Sequence, residues 1–171
     1  AAAMAPVGAS AAGWVGPALL TGSGPEVGYE QVIVEGDGDA YAAWTARDGT
    51  FARVYVARRP AASGAWQTPD PVSPAGEEAI APRIAVDGAG NVTAVWYRFP
   101  GYTVFASERS ASTSTWSSPV TLGSPGAEPV VAVNASGAAA VAWREFNSTD
   151  ERAMAVVRPG PAGAWSAPTP L

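Results

Sequence analysis

Residues 82–96 read Pro-Arg-Ile-Ala-Val-Asp-Gly-Ala-Gly-Asn-Val-Thr-Ala-Val-Trp, the pattern of two short strands joined by a polar, glycine-bearing turn. The same form occurs at residues 30–44 and 129–143, with no gap. The copies share a valine (Val34, Val86, Val133), a glycine (Gly38, Gly90, Gly137) and a tryptophan (Trp44, Trp96, Trp143). Recurrence in register predicts a repeat architecture.

A second repeated element carries Pro three residues after a Trp, at Trp14, Trp66, Trp116 and Trp165. Proline cannot donate a ladder hydrogen bond, so each copy is predicted to be the edge strand of a small sheet. A third strand lies between the two elements, at residues 51–58, 102–109 and 152–158, and each copy ends on an arginine (Arg58, Arg109, Arg158). Four short strands in a period near 50 residues are typical of a β-propeller blade.

These patterns predict an all-β fold, a β-propeller built of four-stranded antiparallel blades, with three blades per chain plus one extra edge strand at residues 14–20. Residues 1–13 are predicted to be a flexible N-terminal arm, and residues 14–171 the three-repeat domain. Closed propellers have about four to eight blades, so three are too few to close a ring. Two copies would give six blades about a two-fold axis, and a homodimer is therefore expected. The alternatives are a longer propeller or docking on a different protein.

Composition excludes several classes of function. Lys is absent and the net charge is −5, which argues against nucleic-acid binding because that needs a basic surface. The chain has no Cys and no His, which removes thiol nucleophiles, thiolate metal sites and the commonest general base. No apolar run approaches the roughly 20 residues of a membrane helix. The alanine-rich opening is similar to the flank of a signal-peptidase cut and predicts a secreted protein; the alternative is a disordered leader.

The acidic turn at Asp37-Gly38-Asp39 resembles a calcium loop only superficially. Its matched positions are Ala89-Gly90-Asn91 and Ser136-Gly137-Ala138, so the element is predicted to be a hairpin turn. No metal and no cofactor are expected.

Together the repeats, over residues 14–171, resemble blades of the sialidase-like propellers that carry Asp-boxes, of the form Ser-x-Asp-x-Gly-x-x-Trp. The corresponding turns here, such as Ser63-Gly64-Ala65-Trp66, lack the Asp, so the match is to degenerate blades. The resemblance implies an arginine clamp, a Tyr–Glu nucleophile pair and an Asp acid, for which Arg83, Tyr97 and Glu145 are the candidates. Arg83 has no counterpart in the other repeats, which carry Gln31 and Val130. Catalysis is therefore not expected.

Specificity is expected in the unmatched loops after each second strand, because rigid folds place binding groups there. The candidate ligand-binding residues are Arg47, Asp48, Arg98, Phe99, Arg144, Glu145 and Phe146, which mix aromatic and bidentate-capable groups; the alternative is a merely polar rim. The repeated Trp44, Trp96 and Trp143 are candidates for sugar stacking, although a repeated Trp is more often a packing residue. The repeated arginines at the third strand's end predict either paired strand ends or a ring of guanidinium groups.

The sequence is interpreted as a non-catalytic binding module, a secreted, lectin-like propeller that binds carbohydrate and is assembled from more than one chain. The alternatives are an adaptor subunit of an extracellular protein assembly and a sialidase-like glycosidase relic.

Overall fold

The computed structural model describes residues 18–21, 27–146, 150–161 and 163–171. Every regular element within them is a β-strand, and the strands form three four-stranded antiparallel sheets. The first sheet contains β1 (Val27–Val34), β2 (Ala40–Asp48), β3 (Phe51–Arg59) and β4 (Asp70–Pro71). The second contains β5 (Glu78–Val86), β6 (Val92–Phe99), β7 (Thr103–Arg109) and β8 (Val120–Gly123). The third contains β9 (Ala127–Val133), β10 (Ala139–Phe146), β11 (Glu151–Arg158) and β12 (Thr169–Pro170).

Each sheet is a meander in which consecutive strands are hydrogen-bonded neighbours. The first strands of the sheets lie side by side, since β5 contacts β1 and β9 contacts β5. This succession is propeller-like. The expected all-β class and the four-stranded antiparallel unit are confirmed. No helix long and apolar enough to cross a membrane occurs in the described part of the chain.

The same five-residue turn joins the first two strands of every sheet. Its first N–H donates to its last carbonyl, from Glu35 to Asp39 at 2.8 Å, from Asp87 to Asn91 at 3.0 Å and from Asn134 to Ala138 at 2.9 Å. The fourth residue is the repeated glycine, with φ of +91° at Gly38, +80° at Gly90 and +82° at Gly137. Glycine adopts this conformation without steric cost, which explains why it recurs. The predicted hairpin turn is confirmed.

A β-bulge lies opposite each repeated tryptophan. The pairing of the first two strands skips Trp44, Trp96 and Trp143, so two residues of the first strand face one Trp. One residue of each bulge has a left-handed backbone, at Tyr29 (φ +61°), Ala81 (φ +53°) and Glu128 (φ +54°). The sequence did not predict the bulge, because none of these residues is the glycine that such a backbone usually favours.

Two apolar cores lie between successive sheets. The edge strand of one sheet contributes a residue to the core that contains the Trp of the next: Val72 with Trp96, and Leu122 with Trp143. Leu20 makes the corresponding contact on the first sheet, against a cluster that contains Trp44. Residues 1–17, which include the expected arm and most of the expected extra strand, lie outside the described residues, and residues 18–20 have no regular secondary structure.

The predicted register of the third-strand arginines is wrong. The strands pair Ala40 with Arg59, Val92 with Arg109 and Ala139 with Arg158, so Arg59, not Arg58, is the counterpart of the other two. A shift of one residue turns a side chain to the other face of a strand. Arg109 and Arg158 are buried, at 6% and 3% exposure, which also rules out a ring of exposed guanidinium groups.

Candidate functional site

The three sheets present two ends. One end carries the glycine turns just described. The other, which we call the loop rim, carries the connections from β2 to β3, from β6 to β7 and from β10 to β11. The ligand-binding candidates other than the three tryptophans lie on the loop rim or in the last residues of the strands that reach it.

Four aromatic rings meet on the loop rim between the second and third sheets. Tyr102 stacks on Tyr97 with ring centroids 6.2 Å apart, and it meets Phe99 edge-on at 5.4 Å. Across the cleft, Phe146 of the third sheet meets Tyr102 edge-on at 4.5 Å. Tyr102 is therefore the centre of the group, and Phe99 remains 44% exposed.

Local backbone geometry folds Tyr102 back into this position. Gly101 and Tyr102 have φ of +107° and +47°, and β7 begins only at Thr103. The carbonyl of Tyr102 accepts a hydrogen bond from the N–H of Gly126, in the connection between the second and third sheets. The aromatic group is thereby attached to both sheets.

Arg144 adds charge beside the rings. Its guanidinium lies 3.4 Å from the Glu128 carboxylate and 3.5 Å from that of Glu151, and its central carbon is 5.9 Å from the Phe146 ring centroid. Glu128 is the left-handed residue of the third sheet's bulge. The bulge thus places an acceptor next to the aromatic group. We call Tyr97, Phe99, Tyr102, Glu128, Arg144 and Phe146 the rim cluster.

Tyr97 is the titratable group most affected by this setting. Burial raises the pKa of its phenol, and the neighbouring Tyr29 and Glu128 raise it further, against a lowering effect of Arg144. The Tyr97 side chain is consequently a neutral phenol at ordinary pH. Such a group donates and accepts a hydrogen bond but does not supply a phenolate.

The remaining loop candidates do not join the rim cluster. Arg98 pairs with Glu77 at 3.1 Å and lies over the Phe105 ring. Glu145 pairs with Arg152 at 2.7 Å. On the first sheet the loop side chains brace their own hairpin: Arg47 donates to the carbonyl of Thr50 at 2.7 Å, and Asp48 pairs with Arg53 at 2.9 Å.

The three repeated tryptophans are buried, with exposures of 4% for Trp44, 1% for Trp96 and 4% for Trp143. Each belongs to a hydrophobic cluster. A Cβ atom built on Gly123 or on Gly126 would lie 2.4 Å from the Trp143 ring, so this indole is packed against backbone. At such exposures the rings fill cores and present little face to a ligand.

The candidates for sialidase roles do not form a connected set. The Arg83 guanidinium donates to the carbonyl of Pro82 at 2.8 Å. Glu145 is paired with Arg152, and Tyr97 stacks on Tyr102. No hydrogen bond or ion pair links Arg83, Tyr97 and Glu145 in the described part of the chain.

Three carboxylates meet at the first glycine turn, where oxygens of Glu35, Asp37 and Asp39 lie within 4.8 Å of one another. Burial and the charge of Asp37 raise the pKa of Glu35. Asp39 is already engaged by the Arg58 guanidinium and by the N–H of Ala61. The Asp39 carboxylate is therefore used in hydrogen bonds inside the fold. The turn itself is the hairpin turn that the sequence predicts.

No protein-family model matches the sequence, and no curated protein sequence matches it. A solved structure, the Hadza microbial sialidase Hz136, is similar over 81% of this chain with a TM-score of 0.60 and 13% identity. The likeness shows a sialidase-like propeller fold. This chain spans 36% of that protein's length, so the likeness concerns a part of it.

Sequence reasoning missed the two residues that organise the rim cluster. The sequence pattern places Tyr102 in the third strand, whereas in the structure this residue ends the turn. Glu128 lies one residue before the repeat that the sequence pattern sets at residues 129–143, and the bulge that exposes it has no glycine signal. The available signal was the Phe-Pro-Gly-Tyr run at residues 99–102, which predicts a turn that ends at the tyrosine.

Proposed function

We propose that the chain is a non-catalytic, carbohydrate-binding module whose ligand lies on the rim cluster. The observation that carries the proposal is the aromatic group around Tyr102, which opens beside an acid, an arginine and a neutral phenol. Aromatic rings offer an apolar face to the C–H side of a sugar, while polar groups fix its hydroxyls. A secreted location is part of the proposal.

The charge balance favours a neutral glycan over a sialic acid. The neighbour is named a sialidase, and binding a sialic acid calls for cations that are available to its carboxylate. Each arginine of this part of the loop rim already faces glutamate: Arg98 with Glu77, Arg144 with Glu128 and Glu151, and Arg152 with Glu145. A second anion would have to compete with these carboxylates, whereas sugar hydroxyls can share them.

The same features weigh against hydrolysis. Retaining and inverting glycosidases need two carboxyl groups at a controlled separation across the scissile bond. The carboxylates near the rim cluster form ion pairs with arginines. The raised pKa of Tyr97 disfavours the phenolate that a tyrosine nucleophile requires. These features support binding without turnover rather than a glycosidase relic.

A glycan array tests the proposal, with wild type compared with Tyr102→Ala. Loss of the central ring should weaken binding of the best neutral glycan at least about tenfold, or about 1.4 kcal/mol. Phe51→Ala is the matched control, because Phe51 is an aromatic residue at the start of β3, 41% exposed and outside the cluster. Equal weakening by both variants, a preference for sialylated glycans, or hydrolysis of a fluorogenic sialoside would overturn the proposal.

An adaptor role is the second candidate, and a specific observation favours it. Large apolar side chains are exposed on the outer faces of the first and third sheets, among them Val32 at 62% and Val157 at 55%. Large apolar side chains exposed on the face of a sheet commonly mark a site of protein association.

A further inference from the structure

The open face of the first sheet repeats a surface that is buried elsewhere in the molecule. Val32 is the counterpart of Ile84, since each follows the bulge by the same number of residues. Ile84 is 2% exposed in the core between the first and second sheets, whereas Val32 is 62% exposed and the nearby Val34 is 70% exposed. The first sheet therefore carries an inter-sheet contact surface without a preceding sheet among the described residues.

The outer face of the third sheet is the complementary half of such a contact. Val130 is the counterpart of Gln31, which spans from the first sheet to the second and hydrogen-bonds the backbone of Ile84. Val157 is the counterpart of Glu108, which spans from the second sheet to the third and pairs with Arg158. Both valines are 55% exposed.

The change from polar to apolar residues at these two positions is informative. In the first and second sheets these positions face a following sheet and carry polar residues, of which Gln31 and Glu108 bond across to it. In the third sheet they carry valine, although in the isolated chain they face solvent. Exposed apolar groups at positions that elsewhere form an interface indicate an interface here too.

We infer that the outer face of the third sheet packs on the open face of the first sheet of a second copy. The repeat register then sets Val130 of one copy against Val32 of the other, as Gln31 lies against Ile84 within the chain. The contact joins two different surfaces, and two copies making it twice form a closed ring of six sheets.

Only the first three strands of the third sheet take part in this contact. Leu20 already occupies the position over Trp44 that Val72 occupies over Trp96 and Leu122 over Trp143. In the repeat register the residue of the second copy that would reach this position is Leu171, which is 82% exposed. Leu20 and Leu171 cannot both fill this site. The contact is therefore formed by β9 to β11, and the end of β12 is displaced by the segment that carries Leu20.

A cysteine cross-link tests the predicted pair, because the chain has no cysteine of its own. In the Val32→Cys/Val130→Cys variant, mild oxidation should give a covalent species of twice the 17.3 kDa chain mass. The single variants Val32→Cys and Val130→Cys should stay uncrosslinked at the same concentration. Equal cross-linking of a single variant, or none in the double variant, would overturn the pairing.

Sedimentation with charge variants gives a second measurement that does not depend on disulfide geometry or on a glycan. Val32→Arg and Val130→Glu should each halve the mass, and the double variant should restore it, because unlike charges then face each other. Val120→Arg is the control, on an edge strand of the second sheet at 46% exposure. A wild type of one-chain mass at high concentration, or a mass that Val32→Arg leaves unchanged, would contradict the interface.

Discussion

The side chain of Gln31 hydrogen-bonds both the N–H and the carbonyl of Ile84 in the neighbouring sheet. Its amide nitrogen donates to the Ile84 carbonyl at 3.3 Å, and its amide oxygen accepts from the Ile84 N–H at 2.8 Å. One residue thus satisfies the backbone groups of Ile84 on the free edge of the second sheet's first strand. The link fixes how the first two sheets stand relative to each other.

Replacing Gln31 by Ala should destabilise the chain by about 1–3 kcal/mol, since the backbone groups of a buried residue lose their partners. Urea unfolding measures the loss. Gln67→Ala is the matched control, because it is the same substitution at an exposed residue. A loss for Gln31→Ala no larger than that for the control would mean that the link does not stabilise the fold.

Gly126→Ala should destabilise the chain by about 1–3 kcal/mol through overpacking. The added methyl group would approach the Trp143 ring to 2.4 Å, in a core without space to accept it. Gly28→Ala is the control, because a Cβ atom there has no neighbour within 4 Å. Thermal unfolding distinguishes the two, and an unchanged melting temperature for Gly126→Ala would contradict the packing described for Trp143.

Asp39 should make the free energy of unfolding decrease at acid pH. The N–H of Ala61 and the Arg58 guanidinium lower the pKa of its carboxyl group. A lowered pKa means that the stabilising contribution is complete above the unfolded-state value, about 3.9, and is lost as the pH falls through the folded-state value.

Asp39→Asn should therefore keep most of the stability at neutral pH and lose less than wild type on acidification. An amide can hold the same turn, because Asn91 in the second sheet accepts a hydrogen bond from the N–H of Ala111 at 2.9 Å. Asp39→Ala should be less stable than either at every pH. Urea midpoints between pH 7 and pH 2.5 measure this; parallel curves for wild type and Asp39→Asn would count against the assignment.

Burial raises the pKa of Tyr41 and of Tyr97. Their neutral form is stabilised by folding, so the stability they contribute is present below about 10 and is lost as the pH rises through the raised values. Absorbance titration of tyrosinate should show a late phase in wild type, which shrinks in Tyr97→Phe and again in Tyr41→Phe/Tyr97→Phe. A late phase of full size in Tyr97→Phe would contradict the burial of this phenol.

The architecture was accessible from the sequence because it rests on repetition. The valine, glycine and tryptophan of residues 82–96 each have one structural task, at a strand, a turn and a core, and the task recurs in every sheet. The four strands and the hairpin turn follow directly. What repetition could not fix was local register, and the one-residue shift at Arg58 shows how small an error turns a side chain to the other face.

The candidate site was only partly accessible for the same reason. Phe99, Arg144 and Phe146 were found as unmatched loop residues, and the structure brings them together. Arg47, Asp48 and Arg98 satisfied the same criterion but pair within their own sheets or with Glu77. Tyr102 and Glu128 depend on left-handed backbone at residues other than glycine; the run at residues 99–102 predicts a turn but not this backbone.

The location of a bound glycan tests the account most directly. Amide hydrogen exchange would be followed with and without the array glycan of highest signal. Protection is expected at residues 97–103 and in the segment around Glu128 and Arg144, with the glycine turns at 35–39, 87–91 and 134–138 unaffected. Protection at those turns instead, or an array on which no glycan binds, would contradict the proposed binding site.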